Sequence, residues 1–322
     1  MRLRLVPQET NWDFFSRSKL WLGISGFMIV LALISFGVRG LNYGIDFAGG
    51  TTIRAESAQP IDVGGYRTAL DQLGLGDVSI TEVFDPSFGA DKNVVSISIQ
   101  AQEGQESVSA DTIAEVEAVL QEIVPDIRFT AVESVGPTVS GELITTAILA
   151  VVLAIGAVLI YIWLRFEWQF ALGAVVALVH DVVLTLGIFS EIGIRFDLAI
   201  IAALLTIVGY SLNDTVVVFD RVRENLRRFK NRDLQDVLNL SINETLSRTF
   251  MTSFTTLVAL IALFVLGGDV IRGFVFAMIW GVIVGTYSSI FVASTILLQL
   301  GVKRDWSKPD PKAGTQFGSD PS

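Results

Sequence analysis

The chain has 322 residues, 51% of them hydrophobic, with no cysteine and a single histidine. The missing cysteines exclude disulfides, a thiol nucleophile and thiolate metal sites, and one histidine cannot supply a His-Glu-x-x-His zinc centre. The sequence also lacks a Gly-x-x-x-x-Gly-Lys-Ser/Thr loop that would bind the phosphates of ATP. The composition therefore predicts an integral membrane protein, without a thiolate or His-Glu-x-x-His metal site and without its own ATP-binding loop.

The net charge of −10 is concentrated in one region of the chain. Residues 39–139 contain sixteen Asp and Glu against five Lys and Arg, a difference of −11, so the remainder is close to neutral. An acidic surface of this kind favours solubility and argues against a nucleic-acid partner. The membrane protein is therefore expected to carry one soluble domain.

The N-terminal segment 1–19 is basic, and an apolar run over 20–38 follows it. This run is long enough to cross a bilayer, whereas the apolar core of a signal peptide is shorter and precedes a small-residue cleavage site. We predict an uncleaved first transmembrane helix over 20–38.

The polar region 39–141 alternates strand and helix patterns in the order βαββαβ. It opens with Tyr43-Gly-Ile-Asp-Phe-Ala-Gly-Gly-Thr, whose glycines indicate tight backbone geometry where the chain leaves the membrane. Asp62 is expected to cap the first of its two helices. The order predicts an α+β ferredoxin-like external domain, with two helices on one face of an antiparallel sheet.

Five further apolar spans are predicted within 142–303. A polar loop over 220–249 separates the fourth and fifth of the six spans. Lys and Arg concentrate in alternate connectors, so the positive-inside rule predicts cytoplasmic termini, a cytoplasmic loop 220–249 and an external domain 39–141. Within that loop, residues 226–240 interleave charged and apolar side chains as an interfacial helix on anionic lipid would. The polar stretch 304–322 is predicted to be a disordered cytoplasmic tail.

Asn213 and Asp214 lie inside the fourth predicted span. An ionised carboxylate costs several kcal/mol in hydrocarbon unless water or a partner reaches it, so intramembrane acids are usually functional. Asp214 is therefore a candidate proton carrier with Asn213 beside it. The alternative is an Asp–Asn pair that only joins two helices, at a worth of about 0.6 kcal/mol.

His180 and Asp181 lie near the middle of the third predicted span. Adjacent helical residues point about 100° apart, so these two are not expected to face one small site together. They are weaker candidates for a proton relay, and a packed hydrogen-bonded pair is an equally good interpretation.

Arg248 begins a polar face of the fifth predicted span that continues with Thr252 and Thr255. It is expected to neutralise Asp214 when that group is ionised and to release it when protonated; the alternative is snorkelling to lipid headgroups. In the sixth span, Gly281 and Gly285 form a Gly-x-x-x-Gly pair, which predicts close helix packing.

The stretch from Gly209 to Asn225, Gly-Tyr-Ser-Leu-Asn-Asp-Thr-Val-Val-Val-Phe-Asp-Arg-Val-Arg-Glu-Asn, resembles the fourth-helix signature of the SecF family. Other stretches agree with that family: Tyr43 to Thr51, Val135 to Leu143, His180-Asp181, Ser247-Arg-Thr and Gly285 to Ile290. SecF is a subunit of the bacterial SecD–SecF complex, which assists protein export. The resemblance implies six transmembrane helices that form half of an RND-type transporter, with Asp214 and Arg248 as the proton-coupling pair.

The resemblance also implies the energy source, location and partners. The proton motive force would drive the external domain to pull or hold unfolded preprotein on the periplasmic side of the bacterial inner membrane. SecD would form a heterodimer with this chain, beside the SecYEG channel, YajC and membrane lipid. The coupling ion would be H⁺ or Na⁺, because a carboxylate can serve either ion. The function that the resemblance implies is not enzymatic and needs neither a metal nor an organic cofactor.

Two other functions stay open at this point. An RND-type small-molecule or lipid exporter would use the same intramembrane carboxylate, although such exporters usually carry both halves in one chain. An intramembrane serine protease would use Ser25 in Gly23-Ile-Ser-Gly as nucleophile and His180 as base. That four-residue match requires geometric confirmation.

Overall fold

A computed structural model describes residues 10–76, 78–84, 92–101 and 108–302. The elements in chain order are α1 (Ser18–Arg39), β1 (Asn42–Tyr43), α2 (Ile45–Ala48), β2 (Gly50–Ser57), α3 (Val63–Asp71), β3 (Val78–Val83), β4 (Asn93–Gln100), α4 (Ala110–Ile123), β5 (Arg128–Val135), α5 (Pro137–Arg165), α6 (Trp168–Ile192), β6 (Arg195–Phe196), α7 (Leu198–Arg228), α8 (Leu234–Leu266), α9 (Asp269–Ser288), a π turn (Ser289–Ala293) and α10 (Ser294–Leu300).

Within these ranges, six helical segments are long and apolar enough to cross a membrane. They are α1, α5, α6, α7, α8 and the continuous segment formed by α9, the π turn and α10. The predicted six-span architecture is therefore confirmed. The first nine residues and the predicted tail 304–322 lie outside the described residues.

The external domain is built on a four-stranded sheet in the order β3-β4-β2-β5, with antiparallel neighbours throughout. The chain order and the sheet order together are those of the predicted ferredoxin-like domain. Ile53, Tyr66, Ile97 and Leu120 are fully buried in its core, because the apolar faces of α3 and α4 cover one face of the sheet. Asp62 caps α3 as expected, accepting a hydrogen bond of 3.1 Å from the Gly64 N–H.

The region predicted as a loop over 220–249 is mostly helical, so that prediction was wrong. Helix α7 runs to Arg228 and α8 begins at Leu234, which leaves only a short connection between them. The separate interfacial helix predicted over 226–240 is likewise absent from this part of the structure. The apolar side chains there face inward, packing with the N-terminal phenylalanines as one cluster: Phe14, Phe15, Val222, Leu226, Val237, Leu238 and Ile242. The charged residues that indicated a loop occupy the outer faces of two extended helices.

Helices α7 and α9 pack closely against each other in the bundle. A Cβ atom added to Gly281 would overlap the side chain of Ile207, and one added to Gly285 would lie 3.1 Å from the Cβ of Ser211. The two glycines therefore allow a backbone approach that larger residues would prevent. In contrast, most of the surface of α1 and α5 is exposed at the edge of the bundle.

The external domain meets the membrane-spanning bundle at one end, which we call the domain side. There β1 pairs in parallel with β6, with Asn42 opposite Arg195. The Arg195 guanidinium then donates to the hydroxyls of Ser98 and Thr52, both at 3.3 Å, on the sheet face that carries no helices. The domain is thus attached to the bundle by side chains as well as by the chain itself.

Candidate functional site

A polar group is enclosed in the otherwise apolar bundle, around Asp214 of α7. Its side chain is 6% exposed, and its Oδ2 accepts a hydrogen bond of 2.8 Å from the Ser289 hydroxyl. The buried hydroxyl of Thr249 on α8 also lies near this carboxyl group. It has no hydrogen-bond partner within 3.5 Å among the described residues. Asp214 therefore sits among hydroxyls from two neighbouring helices.

Asp181 of α6 forms a second buried carboxyl site, at 1% exposure. Its Oδ2 accepts hydrogen bonds from the hydroxyls of Ser211 on α7, at 2.7 Å, and Ser288 on α9, at 2.8 Å. One carboxyl group thus connects three helices. With the contact of its Oδ1 to His180 it makes three hydrogen-bonding contacts, most of those that a carboxylate can accept.

His180 bonds to the neighbouring Asp181, because its Nδ1 lies 2.9 Å from Asp181 Oδ1. The expectation that adjacent residues could not face one site was wrong: both side chains bend toward the same interhelical space. The other ring nitrogen, Nε2, is buried and has no hydrogen-bond partner in the described part of the chain. The ring stacks on Tyr287 at 6.1 Å between centroids.

Consecutive serines connect the two carboxyl sites. Ser288 bonds to Asp181 and Ser289 bonds to Asp214, and the π turn begins at Ser289. In a regular α-helix adjacent residues point about 100° apart, and π turns inside α-helices frequently occur at functional sites. With this local geometry, the hydroxyls of two consecutive residues donate hydrogen bonds to two acids from different helices.

Arg248 does not form the predicted ion pair with Asp214. Its side chain is exposed and no Arg248–Asp214 ion pair within 4.0 Å occurs, although its charge acts on that carboxyl group from a greater distance. It lines a cavity of about 1080 Å³ at the end of the bundle opposite the domain, together with Val217 and Thr245. These two residues lie about one helical turn from Asp214 and Thr249, so the cavity reaches close to the buried acid.

The polar face predicted on α8 points in a different direction from the one expected. Thr252 and Thr255 are exposed and donate to carbonyl groups of their own helix, at 2.9 Å in each case. The buried polar face instead consists of Thr245, Thr249 and Ser253. A shift of about one residue around the helix separates the predicted face from the observed one.

Asn213 is exposed on the surface of the bundle, although it lies in the middle of a span. It makes no contact with the Asp214 site in the described hydrogen bonds. Ala202, Thr206 and Gly209 are exposed on the same face of α7, at intervals of three or four residues. This face of α7 thus combines small residues with one amide side chain, and an amide in contact with lipid is costly.

The protease geometry is not present. The Ser25 hydroxyl lies 2.9 Å from the Tyr287 hydroxyl, and Tyr287 donates to the backbone carbonyl of Trp21 at 3.2 Å. The imidazole of His180 bonds to Asp181 and does not bond to Ser25. A nucleophile needs its base within hydrogen-bonding reach, so Ser25 and His180 form no catalytic pair here.

The serines Ser211, Ser288 and Ser289 were not singled out from the sequence. Serine is common in transmembrane helices and usually bonds to its own backbone, so a single serine carries little information. The pair of adjacent serines in an apolar segment, followed by no helix breaker, was the available signal. Its meaning depends on which acids the neighbouring helices bring to it.

Fold and site together define a multi-pass membrane protein with an external ferredoxin-like domain and two buried carboxyl groups in its helical bundle. Comparison with known proteins identifies the family. Residues 115–303 match the protein family described as "Protein export membrane protein SecD/SecF, C-terminal", and residues 34–61 match the family described as "SecD/SecF GG Motif". The chain belongs to the SecF family of protein-export membrane proteins, which confirms the resemblance seen in the sequence.

Relatives along the whole chain carry the same family name. Protein translocase subunit SecF of Cereibacter sphaeroides is 57% identical over 318 residues, covering 99% of this chain and 98% of the relative. The subunit of the same name from Rhodobacter capsulatus is 56% identical over 316 residues, covering 96% and 95%. Family membership therefore favours a role in protein export over a small-molecule exporter or a protease.

Two solved structures are similar to the fold described above. SecDF from Thermus thermophilus, described as a translocon-associated membrane protein, superimposes with a TM-score of 0.81 at 34% identity, over 93% of this chain and 40% of that one. SecDF in a super-membrane-facing form gives 0.68 at 35% identity, over 92% and 39%. The chain thus spans about two fifths of the length of these SecDF chains.

Proposed function

We propose that this chain uses the proton motive force, together with SecD, to assist preprotein export through SecYEG. Family membership supports the export role, and the observation that carries the coupling role is the Asp214 carboxyl group. It is enclosed among hydroxyls in the bundle core and lies near the end of a polar cavity. A buried carboxyl group with access to water can bind and release a proton, whereas a fully sealed one cannot.

Arg248 gives the protonation change a mechanical consequence. When Asp214 is ionised, its charge attracts the guanidinium that lines the cavity, and this attraction draws α8 toward α7. When Asp214 is protonated, the attraction is lost and the hydrogen bond to Ser289 remains available. Two arrangements of α7 and α8 with different preferences for the proton are what a coupled transporter requires. Sodium at the same carboxylate would act in the same way.

His180 and Asp181 extend this site as relay candidates. Ser288 and Ser289 are adjacent in the chain, so a change at one acid is felt at the other through a displacement of two neighbouring hydroxyls. The buried Nε2 of His180 supplies one further position for a proton. We assign the principal role to Asp214 because the cavity reaches toward that acid.

The exposed face of α7 and the size of the related structures support SecD as the partner. Asn213 lies at mid-membrane without a hydrogen-bond partner among the described residues, and such a group in lipid is costly. A second subunit would cover it. The related SecDF chains are a little more than twice as long as this chain, which is consistent with a second half supplied to this chain by SecD. YajC and membrane lipid would be further neighbours.

The positions of the basic residues support an orientation in the membrane. Arginines surround the cavity at the end of the bundle opposite the domain, and the positive-inside rule assigns that end to the cytoplasm. Both termini and the α7–α8 connection would then be cytoplasmic, and the external domain periplasmic. This orientation lets the domain act on preprotein that leaves SecYEG at the outer face of the inner membrane.

The decisive experiment compares Asp214→Asn with Asp220→Asn in cells whose only copy of this subunit is the variant. Both changes remove one carboxylate from α7 and keep its size, but Asp220 is exposed and pairs with Arg165 at 3.5 Å. After equal membrane levels are confirmed, we expect preprotein export to be lost in Asp214→Asn and normal in Asp220→Asn. Normal export in Asp214→Asn would refute the coupling role and make Asp214 a packing residue.

The coupling ion is resolved by the same pair of variants in proteoliposomes that also contain SecD. A pH gradient and a Na⁺ gradient are imposed separately, and Asp214-dependent ion flux is measured for each. Flux that requires Asp214 under the pH gradient alone supports H⁺, and flux under the Na⁺ gradient alone supports Na⁺. No Asp214-dependent flux under either gradient would contradict the proposal.

A further inference from the structure

The segment Gly44–Gly50, Gly-Ile-Asp-Phe-Ala-Gly-Gly, takes no part in the site around Asp214. It contains α2 and leads directly into β2 at Gly50, with Gly49 as the single intervening residue. Strand β2 lies between β4 and β5 in the interior of the sheet; it pairs along its whole length with β4 and from Gly50 to Glu56 with β5. A displacement of Gly50 is therefore transmitted to the whole sheet of the external domain.

The same segment holds the domain-side end of α7. The Gly44 N–H donates to the Phe196 carbonyl at 2.8 Å, and Asp46 Oδ2 accepts from the Leu198 N–H at 3.0 Å. Leu198 is the first residue of α7, whose N–H has no partner inside the helix. A carboxylate at this position is also favoured by the helix dipole. Asp46 is thus a second cap, which a distant part of the chain supplies to α7 beside its own N-cap Asp197, whose Oδ1 accepts from the Ile200 N–H at 3.3 Å.

Little slack exists between this cap and the sheet. Gly50 has a φ of +129°, and a Cβ atom there would overlap the carbonyl oxygen of Ile99 on the neighbouring strand. Only glycine is compatible with both conditions. On the other side of the segment, the Ser140 hydroxyl of α5 donates to the Ile45 carbonyl at 3.4 Å. The backbone therefore follows a sharp, fixed path from α2 into β2.

A second contact attaches the domain to α9. The Phe84 N–H donates to Asp269 Oδ2 at 2.6 Å, and the Asp269 N–H donates to the Phe84 carbonyl at 2.7 Å. Asp269 is the first residue of α9. Helix α7 carries Asp214, and α9 leads into Ser289. Each of these two helices contacts the domain through its first residue.

We infer that Gly44–Gly50 is the joint through which α7 moves the external domain, and that Asp46 is the positioning residue of this joint. The inference rests on the proposed function, in which Asp214 of α7 responds to the coupling ion. In this arrangement a shift or tilt of α7 acts on Asp46, passes through the two glycines and displaces β2. Asp46 touches neither the ion nor the preprotein.

The test compares Asp46→Ala, Asp46→Asn and Asp62→Ala in the full-length chain assembled with SecD. Asp62 is the matched control because it caps α3 in the same way, in a helix that packs mainly on β3 and α4 within the domain. Three quantities are measured: preprotein export in cells, Asp214-dependent ion flux in proteoliposomes, and the distance between spin labels on the domain and the bundle. The chain has no cysteine, so labels can be placed at Glu115→Cys and Ile192→Cys, both exposed positions.

We expect Asp46→Ala to reduce export and to broaden the label distances while ion flux continues. Loss of one capping carboxylate should weaken the contact between the Gly44–Gly50 segment and the first residue of α7 by roughly fivefold. Asp46→Asn should retain most of the wild-type behaviour, since an amide oxygen also caps a helix. Asp62→Ala should leave export, ion flux and label distances unchanged.

Unchanged export and distances in Asp46→Ala would overturn the inference, and so would equal effects of Asp62→Ala. Loss of ion flux together with export would also overturn it, because Asp46 would then belong to the ion site. Failure of the proposed function is seen separately, as normal export and flux in Asp214→Asn. In that case the distance measurement still decides whether Asp46 holds the domain to α7.

Discussion

Replacement of Gly281 by alanine tests the close contact between α7 and α9. The new methyl group would overlap the side chain of Ile207, whose Cγ2 lies 2.8 Å from the ideal Cβ position. Ile207 is 1% exposed, so its side chain is enclosed by neighbours that resist its displacement. We therefore expect Gly281→Ala to lower the free energy of unfolding by about 1–3 kcal/mol, the usual cost of overpacking.

The origin of that cost can be isolated with a double-mutant cycle. Ile207→Ala alone should cost about 2–5 kcal/mol because it leaves a cavity. In the double variant the methyl group introduced at position 281 would lie in that cavity, so the second change should add almost nothing. The two changes should thus couple by about 1–3 kcal/mol.

The assay is equilibrium unfolding in mixed detergent micelles, followed by tryptophan fluorescence. Gly156→Ala is the matched control, since a Cβ atom at Gly156 of α5 meets nothing within 4 Å. That variant should keep or slightly increase stability, because alanine favours the helix by roughly 1 kcal/mol over glycine. Additive costs in the Gly281 and Ile207 cycle would refute the contact as the source of the destabilisation.

Two further predictions concern the external domain. The Tyr66 hydroxyl is fully buried and has no hydrogen-bond partner among the described residues, so Tyr66→Phe should raise domain stability by roughly 1 kcal/mol or more. Burial, with help from Asp126 and Asp62, also raises the pKa of Tyr66 above its usual 10. Above pH 10 the folded state keeps a proton that the unfolded state loses, so wild-type stability should fall as the pH rises through and above 10. In thermal melts, Tyr66→Phe should lessen this fall. A Tyr66→Phe variant with the same pH profile as the wild type would contradict the prediction. Asp62→Ala should cost about 1 kcal/mol in the same melts through loss of the α3 cap, and Asp62→Asn should cost much less; equal losses would show that the cap is not the cause.

The sequence was sufficient to predict the spans and the external domain because both depend on strong periodic signals. A run of about 20 apolar residues and an alternating strand pattern are each local, and neither requires knowledge of neighbours. The loop 220–249 was misread for the opposite reason. Its interleaved charged and apolar side chains suggested a helix lying on lipid, whereas Val222 and Val237 face a cluster that the N-terminal segment completes from a distant part of the chain.

The candidate site could be predicted only in its principal acid. Asp214 can be recognised in the sequence because a carboxyl group in an apolar span is rare. Its partner Ser289 is a common residue type, and only its hydrogen bond to Asp214 in the folded protein indicates a role. Asn213 and Arg248 were placed beside Asp214 by sequence proximity and by charge. The structure turns both outward, because the rotation of each helix is set by packing on its other face.

The π turn at Ser289–Ala293 also changes how this region should be compared among relatives. A turn closed between residues i and i+5 contains one residue more than a regular helical turn, so α10 is out of phase with α9. A helical wheel drawn with one period from Asp269 to Leu300 misplaces every residue after the turn by about 100°. Deleting one residue here would rotate the buried Thr295 and Leu297 away from the bundle while the overall length of the span hardly changed. An alignment gap at this position would therefore mark a change in helix packing, and would not be the neutral length variation that gaps in loops usually represent.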